Sequence, residues 1–240
     1  MATLASAARS SWPLSPPGVS NDRRRRGAWG RCMVVVLPPP PRLPPDPRVI
    51  TWPAGKALYR IYNPAYPDFR YYGPLAQRFD HHIPASPPET GPRGMYYGAP
   101  TLACCVAEVF GDRGFIQIGA EWLAAIALER AIQLLDLRRA GATRAGTVHA
   151  ISGIRDRVLT QEWSRYFYEH PDLYGAVDGL IYPAAHNGGT AVALYERASG
   201  AAPWSAARTV ALAEPHVAAR VQHVAARLRL PYLPPAVTSR

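Results

Sequence analysis

Glu108 is the carboxylate in this chain whose setting best suits it to chemistry. Ala103, Val106, Ala107 and Phe110 recur at i, i+3, i+4 and i+7, which predicts a helix opening near Pro100-Thr101 and stopping at Gly111. At about 100° per residue Glu108 lies well off that apolar stripe. Its neighbours can therefore anchor in a core while it faces a cleft, where its charge is available for electrostatic work, or solvent, where it is one more surface charge. Other reactive groups lack a pattern. There is no Gly-x-Ser-x-Gly elbow and no His/Cys/Glu ligand cluster, and His81-His82 alone is a poor metal site. The three cysteines, Cys32 and the adjacent pair Cys104 and Cys105, form neither a disulfide framework nor a metal-ligand spacing, which fits a reducing cytoplasm.

The elements that must position Glu108 mix strands and helices without a βαβ alternation, so the expected fold class is α+β, a small split mixed sheet with flanking helices. Strands are predicted at Ala57–Tyr62, around Met95–Tyr97 within 91–98, at Phe115–Gly119, Gln133–Leu137, Gly179–Pro183 and Thr190–Tyr195. The last two are joined by the turn signal His186-Asn187-Gly188-Gly189. Phe69–Gly73 reads as a short strand or an aromatic loop, and Trp122–Arg130 is ambiguous. An aromatic-rich helix is expected over Thr160–His170 with Thr160 as its cap, and a further helix over Glu214–Arg227.

Composition divides the chain into three parts. Residues 1–50 are rich in Ala, Ser, Arg and Pro and hold eight arginines against Asp22 and Asp46, six of the ten excess positive charges. They are expected to be disordered or polyproline-like, with translation starting near Met33 rather than at Met1. Residues 51–200 carry the domain, and residues 201–240 form a helical tail. Lys56 is the only lysine, so the arginine excess reads as codon bias in a GC-rich genome, and direct nucleic-acid binding is not expected. No run approaches the roughly 18 apolar residues of a membrane span, so no membrane partner is expected.

Five blocks then occur in a recognisable order: Leu58-Tyr59-Arg60-Ile61, Gln77-Arg78-Phe79-Asp80, Tyr96-Tyr97-Gly98-Ala99, Val106-Ala107-Glu108-Val109, and Asp178-Gly179-Leu180-Ile181-Tyr182-Pro183. Val192-Ala193-Leu194-Tyr195-Glu196-Arg197 closes the set. Over about 140 residues, from Ala57 to Arg197, this order resembles the RES domain family. The resemblance implies a fold similar to ADP-ribosyltransferases and an enzyme that breaks the nicotinamide–ribose bond of NAD, with phosphate or water as acceptor. NAD is then a substrate, no cofactor or metal is needed, and the chain is the toxin of a bacterial toxin–antitoxin pair restrained by an Xre-type helix-turn-helix antitoxin.

The resemblance also assigns roles. Arg60 and Arg78 match the family's arginines and are expected on the pyrophosphate, which guanidinium forks pair bidentately. Tyr97 is expected to line the nicotinamide pocket, its ring stacking and its hydroxyl orienting the substrate. Glu108 is expected near the ribose, stabilising positive charge as the bond breaks. The family's serine, two positions after the tyrosine of the Gly-x-x-Tyr strand, corresponds to Ala184, with His186 and Asn187 as the nearby polar groups that can take its place. That departure sustains an alternative: a catalytically degenerate RES-fold protein that binds nucleotide or partner without turnover.

Overall fold

The computed structural model describes residues 34–65, 77–84 and 93–233. The proposed start at Met33 and the Phe69–Gly73 segment lie outside these residues. The described residues from Val35 onward belong to one compact unit.

Among the described residues ten strands form three sheets. The largest has the order β1 (Val49–Trp52), β6 (Ile132–Asp136), β7 (Gly179–Pro183), β8 (Thr190–Tyr195) and β3 (Met95–Gly98). Only β6 and β7 are parallel; the other pairs are antiparallel. A second, antiparallel sheet has the order β2 (Ala57–Tyr62), β5 (Trp122–Ala127), β9 (Arg208–Ala211), and β4 (Ile116–Gln117) pairs in parallel with β10 (Tyr232–Leu233). The described residues also form the α-helices α1 (Leu102–Phe110), α2 (Gly141–Arg144), α3 (Arg157–Glu169), α4 (Pro171–Tyr174) and α5 (Pro215–Leu228). This is the expected α+β class with a mixed sheet.

Strands β7 and β8 are nearly uniform apolar runs because they sit inside the sheet with both faces covered, and Leu180, Ile181, Val192, Ala193 and Leu194 are fully buried. The two larger sheets meet where Tyr59 and Ala99 exchange both backbone hydrogen bonds, at 2.8 and 2.9 Å. Gly98 makes that approach possible, since a Cβ there would stand 3.0 Å from the Tyr59 carbonyl oxygen.

Helix α1 begins where expected, Thr101 Oγ1 accepting from the Cys104 N–H at 3.3 Å. In α3 the cap differs from expectation. Asp156 accepts from Leu159 N at 3.0 Å, while Thr160 lies inside the helix and turns its hydroxyl back to the Arg157 carbonyl at 3.1 Å. Trp122–Ala127, ambiguous in sequence, is a strand.

Residues outside 51–200 are also built in. Trp163 Nε1 donates to the Leu37 carbonyl at 2.7 Å and Arg144 pairs with Asp46 at 2.8 Å, so these leader residues lie against the domain rather than being structureless. In the segment expected to be a helical tail, β9 pairs with β5, β10 with β4, and α5 buries Val217, Val221, Val224 and Ala225 in the core that contains Phe110.

Candidate functional site

A cavity of about 780 Å³ opens between β2, the end of β3, α1 and the segment leading into α3. Its volume suits a ligand of cofactor or drug size. Arg60, Arg78, Tyr97 and Glu108, drawn from four separate parts of the chain, all line it.

Arg60 is carried by β2 and is 7% exposed, with its guanidinium 4.8 Å over the Tyr96 ring. Glu108 sits on the side of α1 that Leu102, Cys105, Val106 and Phe110 leave uncovered. Its Oε1 is buried and accepts no hydrogen bond from any described residue. A buried carboxylate oxygen without a donor is costly in an empty protein and is the natural acceptor for a ligand hydroxyl or cation.

Arg78 is held by its backbone. Asp80 is 1% exposed; its Oδ2 accepts from Gln77 N at 2.7 Å and its Oδ1 from the Tyr97 hydroxyl at 2.7 Å. That hydroxyl also accepts from Phe79 N at 3.0 Å. From α3, Gln161 donates to the Gln77 carbonyl at 2.8 Å and Ser164 to the Phe79 carbonyl at 2.6 Å. The turn is thus tied at Gln77, Phe79 and Asp80, and the Arg78 side chain enters the cavity and donates to the Ile154 carbonyl. Tyr97 differs from expectation here: its ring is on the wall, but its hydroxyl serves this turn. Burial and the Asp80 carboxylate hold the phenol well above its ordinary pKa, so it remains a proton donor.

The hairpin residues separate. Ala184 is 2% exposed and off the cavity wall, with its N–H donating to Gly189 O at 2.8 Å and its carbonyl accepting from Gly188 N at 3.0 Å. Asn187 is exposed and off the wall, its Oδ1 folded back onto Gly189 N at 2.9 Å. The expectation that these two positions touch ligand therefore meets a tight local turn that consumes them. Ala185 and His186 line the cavity instead, with His186 Nε2 3.5 Å from an Asp112 carboxylate oxygen.

Arg155 and Arg157 also line the cavity and were not singled out by sequence. No local pattern marks them, because their place depends on the 153–157 segment meeting Arg78. The wall therefore carries four guanidiniums against the carboxylates of Glu108 and Asp112, a field that favours an anionic ligand. Thiol chemistry is disfavoured: burial and Glu108 push the Cys104 thiol up to about 12, and burial also raises Cys105, whose Sγ donates to the Tyr59 carbonyl at 3.1 Å. Among the described residues no group of three or more His, Cys, Asp or Glu could hold a metal ion, and no helix is long and apolar enough to cross a membrane.

The family model described as RES domain matches residues 57–226. Among solved structures, the chain is similar to one in the crystal structure of the M. tuberculosis MbcT-MbcA toxin-antitoxin complex, at 16% sequence identity and a TM-score of 0.48, over 74% of this chain and 92% of that one. No curated protein matches.

Proposed function

The chain belongs to the RES domain family, and from that premise we propose that it is an enzyme cleaving the nicotinamide–ribose bond of NAD, with phosphate or water as acceptor. The observation that carries this reading is Glu108, a carboxylate with a buried, unbonded oxygen in the same cavity as Arg60 and Arg78. As the bond breaks, nicotinamide leaves with the electron pair and positive charge gathers on the ribose. Glu108 stabilises that charge, the arginines hold the diphosphate, and an acceptor oxygen closes on C1′ and loses its proton.

The resemblance supports a further part of the proposal, that the activity is that of a cytoplasmic toxin held in check by an Xre-type antitoxin. Purified protein incubated with NAD, with and without phosphate, tests the core of it. The natural protein is expected to release nicotinamide, and Glu108→Gln to release it about a hundredfold to a thousandfold more slowly. Phosphate dependence identifies the acceptor. Equal rates from the two proteins would remove Glu108 from the chemistry.

Ala184 favours a second reading, nucleotide or partner binding without turnover, because the family's hydroxyl is missing there. Nicotinamide release from Ala184→Ser, with none from the natural protein, would establish it. Its burial away from the cavity argues instead that the two proteins will behave alike.

A further inference from the structure

Arg78 reaches the segment that carries Arg155 and Arg157. Arg78 donates to the carbonyl of Ile154, Arg155 follows that residue directly, and Arg157 opens α3 two positions later. All three line the cavity. None forms an ion pair with a carboxylate among the described residues, whereas Arg93, Arg130, Arg138 and Arg144 each hold one at 2.7 to 2.8 Å. The nearest acid in sequence, Asp156, caps α3 through Leu159 N, and the first turn of the helix contains no other. Burial, and after it the neighbouring Arg157 cation, lowers the Arg78 pKa, with Tyr182 and Glu108 partly opposing the shift.

Resting on the NAD reading, we infer that Arg157, with Arg155 at the rim, joins Arg78 in a clamp for the diphosphate of the dinucleotide. Arg60, stacked over Tyr96 on β2, lines the same cavity. A diphosphate spreads two negative charges over several oxygens, and planar guanidinium forks match that geometry with paired N–H donors. The site is costly when empty and relieved when filled.

The test uses the full chain and ligands that need no turnover: ADP, adenosine and inorganic phosphate, with affinities measured by calorimetry. Arg157→Gln is expected to weaken ADP by roughly tenfold to a hundredfold, the worth of a charge-assisted pair, and to leave adenosine unchanged. Arg157→Lys should recover part of the loss, keeping the charge but not the fork. Unchanged ADP affinity in Arg157→Gln overturns the clamp. So does a loss confined to inorganic phosphate, which would make this the acceptor's site, and so does a natural protein that binds neither anion. If Arg157→Gln fails to fold, as judged by its thermal transition, Arg155→Gln and Arg157→Lys carry the test, each expected to weaken ADP several-fold. Normal ADP binding without nicotinamide release would defeat the NAD reaction while leaving the clamp intact.

Discussion

Asp80 governs Arg78 without touching the cavity. Its two carboxylate oxygens accept from Gln77 N and the Tyr97 hydroxyl, so an amide in its place keeps the shape but loses the charge and one of the two acceptors. Asp80→Asn is expected to cost about 1–3 kcal/mol in urea unfolding and to raise KM for NAD more than it lowers kcat, because the proposed role of Arg78 is to bind the diphosphate. A kcat loss with unchanged KM would contradict that positioning role. In the sequence Asp80 stands out only as part of a motif. Its partner Tyr97 is 17 residues away in sequence, and no local spacing reports the pair. Tyr97 itself was legible as a wall residue, but the direction of its hydroxyl was not.

His81 supplies a pH dependence at the same scale. Its ring lies in the core between Tyr168 and Tyr195, at 4.4 and 4.6 Å, with Nε2 2.9 Å from Glu196 and Nδ1 without a hydrogen-bond partner among the described residues. Burial, only partly offset by Glu196, holds the imidazole below its ordinary 6.5. It is therefore neutral near pH 7, and Nε2–H donates to the carboxylate. Below pH 6.5 the unfolded chain takes up a proton that the folded one refuses until its own lower pKa is reached. Stability is thus complete above the unfolded value and falls across that window. The urea midpoint is expected to drop between about pH 7.5 and pH 5.5, with a shallower drop in His81→Phe. An identical drop in both proteins would assign it to other groups.

Among the elements, those with the strongest periodicity were the most legible. The stripe of α1, with Thr101 before it and Gly111 after it, and the paired runs of β7 and β8 are local signals that tertiary packing reinforces. Strands β1, β9 and β10 were not legible because they are two to four residues long and largely exposed, leaving no apolar run to read. The cap of α3 was misplaced because Val158 and Leu159 obscured the better acid two residues before them.

Glycines give an ordered prediction at this scale. A Cβ at Gly179 would stand 2.4 Å from the backbone oxygen of Ala193 in the centre of the sheet, whereas one at Gly98 would stand 3.0 Å from Tyr59 O at the edge of the cavity. Gly179→Ala should be the more destabilising, about 3 kcal/mol or more, and Gly98→Ala milder at about 1–3 kcal/mol. Ligand affinity should reverse the order, since only Gly98 lines the cavity. Thermal unfolding and ADP titration of both variants check the two orders together.

For the whole molecule, the C-terminal segment belongs to the domain's support. Without it β5 keeps only β2, β4 loses β10, and the α1 side of the core loses Val217, Val221 and Val224. Truncation after Ala207 is expected to abolish the cooperative unfolding transition, whereas a detachable tail would leave the transition intact. Composition placed the C-terminal boundary too early because alanine and arginine mask the apolar face of α5.

The reciprocal pairing of Tyr59 with Ala99 has an evolutionary consequence. The wall beside it is Gly98 and Ala99, and the approach of the two sheets is fixed by main-chain hydrogen bonds. Depth is inherited from the backbone, while charge is written by guanidiniums on β2, the 77–80 turn and the entry to α3. A lineage can therefore exchange what the cleft accepts, one side chain at a time, without excavating it again.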